Sequence, residues 1–280
     1  MLHRAEGLSA DHLRAIAELE RQVVAADGGR LKLEWGSLRS RPAGEVNDLL
    51  WWDGTELVGF LGRYAFGVPA ELAGMVRPAT RGRGIGTALL DAGLALAGEH
   101  GDGHVLVVVP RRSAAGARLA VRHGGRLDHS EHALVLEDEP VDGPSDPAAG
   151  IRPAGPADIH AVSRLLEIGF GHPAGDVAGA LSPADEPTLV VEHDGTVVGT
   201  LRLTRDGAQA GIYGFVIDEG WRGRGIGRDV LRRVCRQARA GGAERVGLEV
   251  EVDNDRALGL YTSLGFRPMT TEDYYAFDLG

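Results

Sequence analysis

Two hexapeptides carry the densest chemistry in this sequence, Arg81-Gly82-Arg83-Gly84-Ile85-Gly86 and Arg222-Gly223-Arg224-Gly225-Ile226-Gly227. Each follows an apolar run, ending Val76-Arg77-Pro78 or Ile217-Asp218-Glu219, and each opens a helix-forming segment. Alternate glycines let a backbone approach a ligand closely, and successive N–H groups at a helix start favour an anion. A P-loop is excluded, because Thr87 and Arg228 follow without the lysine that loop requires. A dinucleotide fingerprint is excluded as well. Leu89 and Val230 stand where its third glycine belongs, and no Rossmann βαβ unit surrounds them. Two readings are left, a phosphate cradle or a tight turn entering a helix. Beyond the second loop, Arg228, Arg232 and Arg236 recur at i, i+4 and i+8. They form a stripe able to meet a further phosphate, or a solvated basic face. The first copy has Thr87, Asp91 and Ala95 instead.

The elements that hold these loops occur twice. The loops are 141 residues apart, and the same offset without a gap carries Val105 onto Val246, Val109 onto Val250, Leu119 onto Leu260 and Gly124 onto Gly265. Upstream it carries Trp52-Asp53-Gly54-Thr55 onto His193-Asp194-Gly195-Thr196. The chain therefore divides into domains 1–139 and 151–280, joined by a Pro-, Gly- and acid-rich linker at 140–150. In the second half the pattern predicts a strand at 151–153 and a helix from 156 to about 169. A hairpin of Thr188–His193 and Thr196–Leu203 turns on Asp194-Gly195, followed by a strand at 211–217. A helix at 225–240, a strand at 245–252, a helix at 254–264 and two strands within 266–279 complete it. In the first half, 11–24 reads as a helix and 49–66 as a hairpin about Asp53-Gly54. The expected class is α+β (mixed α/β), two tandem folds, each a mixed, mostly antiparallel sheet flanked by helices.

The loop Arg-x-x-Gly-x-Gly, together with Asn254-x-x-Ala257-x-x-Leu260-Tyr261-x-x-Leu264-Gly265-Phe266 downstream, resembles the GCN5-related N-acetyltransferases. The second half carries both motifs, the first half a weaker version, and together they span nearly the whole chain. The resemblance implies acetyl-CoA as co-substrate, with no metal. Its pyrophosphate would rest on the backbone of Gly223, Arg224, Gly225, Ile226 and Gly227, with Arg222, Arg224 and Arg228 adding charge. Its pantetheine arm would run along Phe215, Val216 and Ile217, with Asn254 touching it. A backbone N–H near Phe215 would polarise the thioester carbonyl. Tyr261 would give a proton to the departing thiolate. An amine acceptor must lose a proton, and Glu249 and Glu251 alternate onto one face of their strand, where either could take it. Tyr213, His172 and, in the first half, Glu71 are weaker candidates. The same register puts Ala120 at Tyr261 and Ser113 at Asn254. The second copy is thus expected to be catalytic and the first degenerate, keeping at most a cofactor pocket at Val76, Arg81, Gly82, Arg83, Gly84 and Gly86.

Within the family, Val24-Ala25-Ala26-Asp27-Gly28, Gly169-Phe170-Gly171-His172-Pro173 and Val250-Glu251-x-Asp253-Asn254 are similar to a tandem enzyme whose acceptor is the cysteinyl amine of a thiol-sugar. Two departures stand against equating them. Gly211 occupies the position of that enzyme's glutamate base, and the segment 203–211 is short.

Composition bounds the rest. With 30 basic and 40 acidic residues the net charge is −10, which speaks against a nucleic-acid partner and suits an amine-bearing small molecule. No apolar run is long enough for a membrane span, and the first residues form no signal-peptide core, so a cytoplasmic protein is expected. One cysteine, Cys235, excludes an internal disulfide and a cysteine-based zinc site. A monomer is compatible with these features. An acyl-CoA-binding module without turnover is the competing reading.

Overall fold

The computed structural model describes all residues except 66–68, 172–176 and 178–186. His172 and Pro173, and Phe66 at the end of the expected first hairpin, lie outside the described residues. Two compact units are present, one formed by residues 1–131 with 270–280 and the other by residues 132–269. This division differs from the one the linker composition suggests, because each unit takes a strand from beyond the expected boundary.

The first unit holds β1 (Leu2–Glu6), α1 (Ala10–Asp27), α2 (Trp35–Arg39), β2 (Val46–Asp53), β3 (Glu56–Tyr64), β4 (Ala70–Val76), α3 (Ile85–Glu99), β5 (His104–Pro110) and α4 (Ala114–Arg122). Its sheet runs β1-β2-β3-β4-β5 and then β12 (Arg267–Asp278), which pairs antiparallel with β5 from Glu272↔Pro110 to Asp278↔His104. Tyr274 and Ala276 fill the core on the α1 side of this sheet. Tyr275 and Phe277 fill the core on the α3 side, as the two-residue period of a strand requires. The segment 266–279 was expected to form two strands. It forms one, since Thr270-Thr271 are β-branched and no Gly, Pro or Asn interrupts the segment after Pro268.

The second unit repeats the plan in the order β6-β11-β10-β9-β8-β7. Its elements are β6 (Arg126–Leu136), whose residues from 132 onward belong to this unit, β7 (Ala149–Pro153), α5 (Ile159–Phe170), β8 (Thr188–His193), β9 (Thr196–Asp206) and β10 (Gln209–Ile217). After them come α6 (Ile226–Ala240), β11 (Arg245–Glu251) and α7 (Asp255–Ser263). Ile226, Val230, Leu231, Val234 and Cys235 of α6 pack with Val246, Leu248 and Val250 of β11 into the main core.

Each unit holds a parallel pair beside antiparallel ones. In the first unit β4 and β5 pair only from Ala70↔Val105 to Ala73↔Val108. In the second, β10 and β11 pair only from Gln209↔Arg245 to Ile212↔Leu248. Beyond those points the strands part, leaving the downstream half of β4 or β10 without a partner on that side. The copies differ by one residue here. Three steps along β10, Tyr213 to Val216, face two along β9, Arg202 to Thr200, which marks a bulge with Gly214 at φ +59°. β4 runs unbulged against β3. The ungapped 141-residue offset is therefore corrected. Upstream of the bulge corresponding residues are 140 apart, so the first hairpin turns on Gly54-Thr55 and the second on Asp194-Gly195.

Candidate active site of the second unit

The sequence-predicted residues of the second unit lie on β10, the loop that follows it, α6, β11 and α7. Val216 and Ile217 are buried, so their side chains belong to the core and only their backbone faces the opening. Val216 is wedged under α5, where a Cβ added to Gly169 would stand 2.3 Å from its Cγ2. Phe215 packs on the start of α6, its Cζ 3.4 Å from where a Cβ of Gly227 would be.

At the end of β10 the chain turns into the glycine loop. Gly223 (φ +79°) and Gly225 (φ +86°) adopt left-handed backbone, with open space where their side chains would be. Gly225 caps α6 and has no side chain to bond the first N–H groups of the helix. This is an anion cradle by construction. Arg222 Nε donates to Ile217 O at 2.7 Å and ties the loop to the strand. Arg224 Nη2 donates to Gly220 O at 3.0 Å, and its guanidinium lies 4.7 Å from the Trp221 ring centroid. Arg228 Nε donates to Ser263 Oγ at 3.1 Å. Ile226 anchors the helix start in the core, so its contribution is its backbone.

The basic stripe does something else. Arg232 is 3% exposed and donates to Val141 O and Pro144 O, both at 2.9 Å. Arg236 pairs with Asp142, Arg233 donates to Ala149 O, and Arg239 donates to Glu137 O. Of the stripe, only Arg228 stays near the loop. The others clamp residues 137–149 onto α6, because that segment offers carbonyls and acids on the face the arginines occupy.

Tyr261 sits on α7, 7% exposed, with its ring edge-on to Phe266 at 6.1 Å. Burial pushes its phenol up to about 12, and its hydroxyl has no hydrogen-bond partner among the described residues. Asn254 caps the same helix, its Oδ1 accepting from Ala257 N at 3.1 Å. The oxygen is thereby used, and the side-chain amide N–H is the group left to donate. Ser113 caps α4 in the same way, 3.2 Å from Gly116 N, whereas Ala120 offers no hydroxyl.

Glu249 and Glu251 do share a strand face, opposite Val246, Leu248 and Val250. Glu249 directly follows the last β10–β11 pair and is half-buried, whereas Glu251 is exposed. Gly211 lies on the same face as Glu249. A Cβ there would stand 2.6 Å from Tyr213 Cε2 and 2.8 Å from Thr204 Oγ1, so the Tyr213 ring occupies the place of a side chain.

The first unit keeps the loop geometry, with Thr87 in place of Arg228 and Arg81 tied to a carboxylate. Gly82 and Gly84 are again left-handed, and Arg81 Nε again reaches back five residues, to Val76 O at 3.1 Å. Both terminal nitrogens of Arg81 are held by Asp27, at 2.9 and 2.6 Å. Arg83 is exposed, and Gly86 sits beside Leu119. Sequence reasoning missed a further group in this unit, Lys32 with Glu71, Glu131 and Tyr274. Its one signal was the presence of a single lysine in the chain.

Among the described residues no group of three or more His, Cys, Asp or Glu is placed to hold a metal ion, and no helix is long and apolar enough to cross a membrane.

A tandem pair of units, each with a parallel pair parting beside a glycine loop and helix start, is the fold of the GNAT acetyltransferases. The profile of the Acetyltransferase (GNAT) family matches residues 13–124 and 163–266, and the chain belongs to that family as an acetyltransferase. Among individual proteins it is 30% identical to a mycothiol acetyltransferase of Nocardia farcinica, over 98% of this chain and 95% of that one. It is 31% identical to a mycothiol acetyltransferase of Clavibacter michiganensis, over 75% and 72%. A GCN5-related N-acetyltransferase from Sphaerobacter thermophilus shares the fold at a TM-score of 0.81, with 22% identity over 99% of this chain and 96% of that one. A tandem GNAT protein from the clavulanic acid biosynthesis pathway shares it at 0.70, with 19% identity over 100% and 98%.

Proposed function

We propose that the second unit transfers the acetyl group of acetyl-CoA directly to a primary amine of a small molecule. The observation that carries this reading is the open glycine cradle at the start of α6, reached directly from the stretch of β10 that has left β11. The residues present fit acetyl-CoA. Gly223 and Gly225 leave open space at a helix start for a pyrophosphate, and Arg222, Arg224 and Arg228 supply cations beside it. Acetyl-CoA, when bound, supplies an activated acetyl thioester. Backbone N–H groups of β10 near Phe215 orient the arm and polarise its carbonyl. Tyr261 holds its proton at neutral pH and gives it from Oη to the departing sulfur. The same low-polarity surroundings that lift the phenol lift a thiolate formed beside it, which keeps the two matched. Glu249 takes the acceptor's proton, directly or through one water, with Glu251 further out on the same face.

Mycothiol acetyltransferase is the name of the relatives, and the cysteinyl amine of the mycothiol precursor is the first candidate acceptor. Two features set this chain apart from that enzyme as the sequence resemblance implies it. The base position is Gly211, and β9 and β10 are joined by only Gly207-Ala208. The test is thiol release from acetyl-CoA against a panel of the mycothiol precursor, polyamines, amino sugars and peptide N-termini. Release with one small amine class supports the proposal, and tight CoA binding with no release from any amine refutes it. No release with the mycothiol precursor alone removes that acceptor.

A further inference from the structure

Lys32 is the only lysine of the chain, and its side chain is 8% exposed. Its Nζ lies 3.1 Å from Glu71 Oε2, 3.8 Å from Glu131 Oε2 and 2.6 Å from the Tyr274 hydroxyl. It stands 4.9 Å from the Tyr274 ring centroid, and Tyr274 in turn donates to Glu131. A primary ammonium is thus held by two carboxylates and a phenol oxygen, acceptors that recognise such a cation.

The location gives this cage its meaning. Glu71 faces Leu106 two residues before β4 and β5 part. The space just beyond is lined by Lys32, Ala73, Gly74, Val108, Pro110 and Glu272, and the cavity there is only about 10 Å³ as measured by the centres of water-sized spheres that fit in it. That is roughly the room of one water and too little for an acceptor. We propose that this is an amine subsite of the first unit, occupied by the chain's own amine. Lys32 stands where an outside primary amine would be bound, and it closes the unit to such molecules. The inference rests on reading the parted strands as the place where amine and thioester meet. Its test, however, reads cation binding and does not depend on turnover in the second unit.

Replacing Lys32→Ala in the full chain removes the cation and opens the cage. The unfolding temperature of this variant is expected to fall, and ethylammonium chloride is expected to restore about 3 °C or more in a saturable way. Equal concentrations of sodium or tetramethylammonium chloride are expected not to, and the unsubstituted protein is expected to show no ethylammonium-specific shift. Equal responses to all three salts in the folded variant overturn the proposal. If the variant does not fold, the unsubstituted protein decides. Treated with an amine-acetylating N-hydroxysuccinimide ester, it is expected to gain acetyl at the Met1 amine and not at Lys32. Labelling of Lys32 as fast as Met1, or acetylation of Lys32 by acetyl-CoA alone, overturns the proposal.

Discussion

Glu71 and Gly211 hold the same position in the two copies of the sheet. Glu71 faces Leu106 and Gly211 faces Gly247 in the parallel ladders, and those two partners are themselves 141 residues apart. The first unit therefore has a carboxylate at this position but Ala120 where a proton donor is needed. The second has Tyr261 but no side chain at Gly211. Neither copy has both groups, and in the proposed mechanism Glu249 of β11 serves as the base of the second.

The Tyr213 ring covering Gly211 has a measurable consequence. Gly211→Ala should destabilise the second unit by about 1–3 kcal/mol, the range for overpacking a filled site. Tyr213→Ala combined with it should relieve most of that loss. Denaturant midpoints of the two single variants and the double variant check this, and strictly additive losses would contradict it.

The arginine clamp separates stability from cofactor affinity. Arg232 and Asp229 are each 3% exposed, and Arg232 makes the carbonyl contacts to Val141 and Pro144. Arg232→Ala should cost on the order of 1–3 kcal/mol, the range for leaving the two buried carbonyls unsatisfied, since Arg233 and the Asp146 N–H still partner Asp229. Affinity for acetyl-CoA should change little in the variant that remains folded. A loss of affinity with unchanged stability would return Arg232 to the phosphate site.

Acid sensitivity of the second unit should include Asp158. Arg152, donating at 2.7 and 2.9 Å, and Gly155 N hold its carboxyl down at about 2. A depressed carboxylate contributes stability above its unfolded pKa of about 4 and loses it as pH falls toward 2. Asp158→Asn should therefore lower the unfolding temperature at pH 7, and its deficit should vanish as pH drops from about 4 to about 2. A constant deficit across that range would show the contribution is not ionic.

Much of this was legible in the chain. Gly82, Gly84, Gly223 and Gly225 announced their backbone because left-handed φ leaves few residue choices. The Asp194-Gly195 turn was equally plain, with φ of +51° and +76°. What sequence could not show depended on partners distant in the chain. Periodicity put Arg228, Arg232 and Arg236 on one face but could not say that 141–144 covers it. The bulge at Gly214 hid the Glu71–Gly211 correspondence, because a single extra residue looks like an ungapped repeat when the loops downstream are matched first. Lys32 and Tyr274 are separated by 242 residues and meet only because β12 joins the first sheet.

The account turns on Tyr261 as the proton donor to the departing thiolate. The most direct measurement is steady-state thiol release by Tyr261→Phe beside equilibrium binding of acetyl-CoA to the same variant. The account predicts kcat lower by about 10²–10⁴-fold, with acetyl-CoA affinity nearly unchanged. Because the phenol holds its proton up to about 12, the unsubstituted enzyme should show no loss of kcat from Tyr261 ionisation below pH 10. An unchanged kcat in Tyr261→Phe would contradict the account.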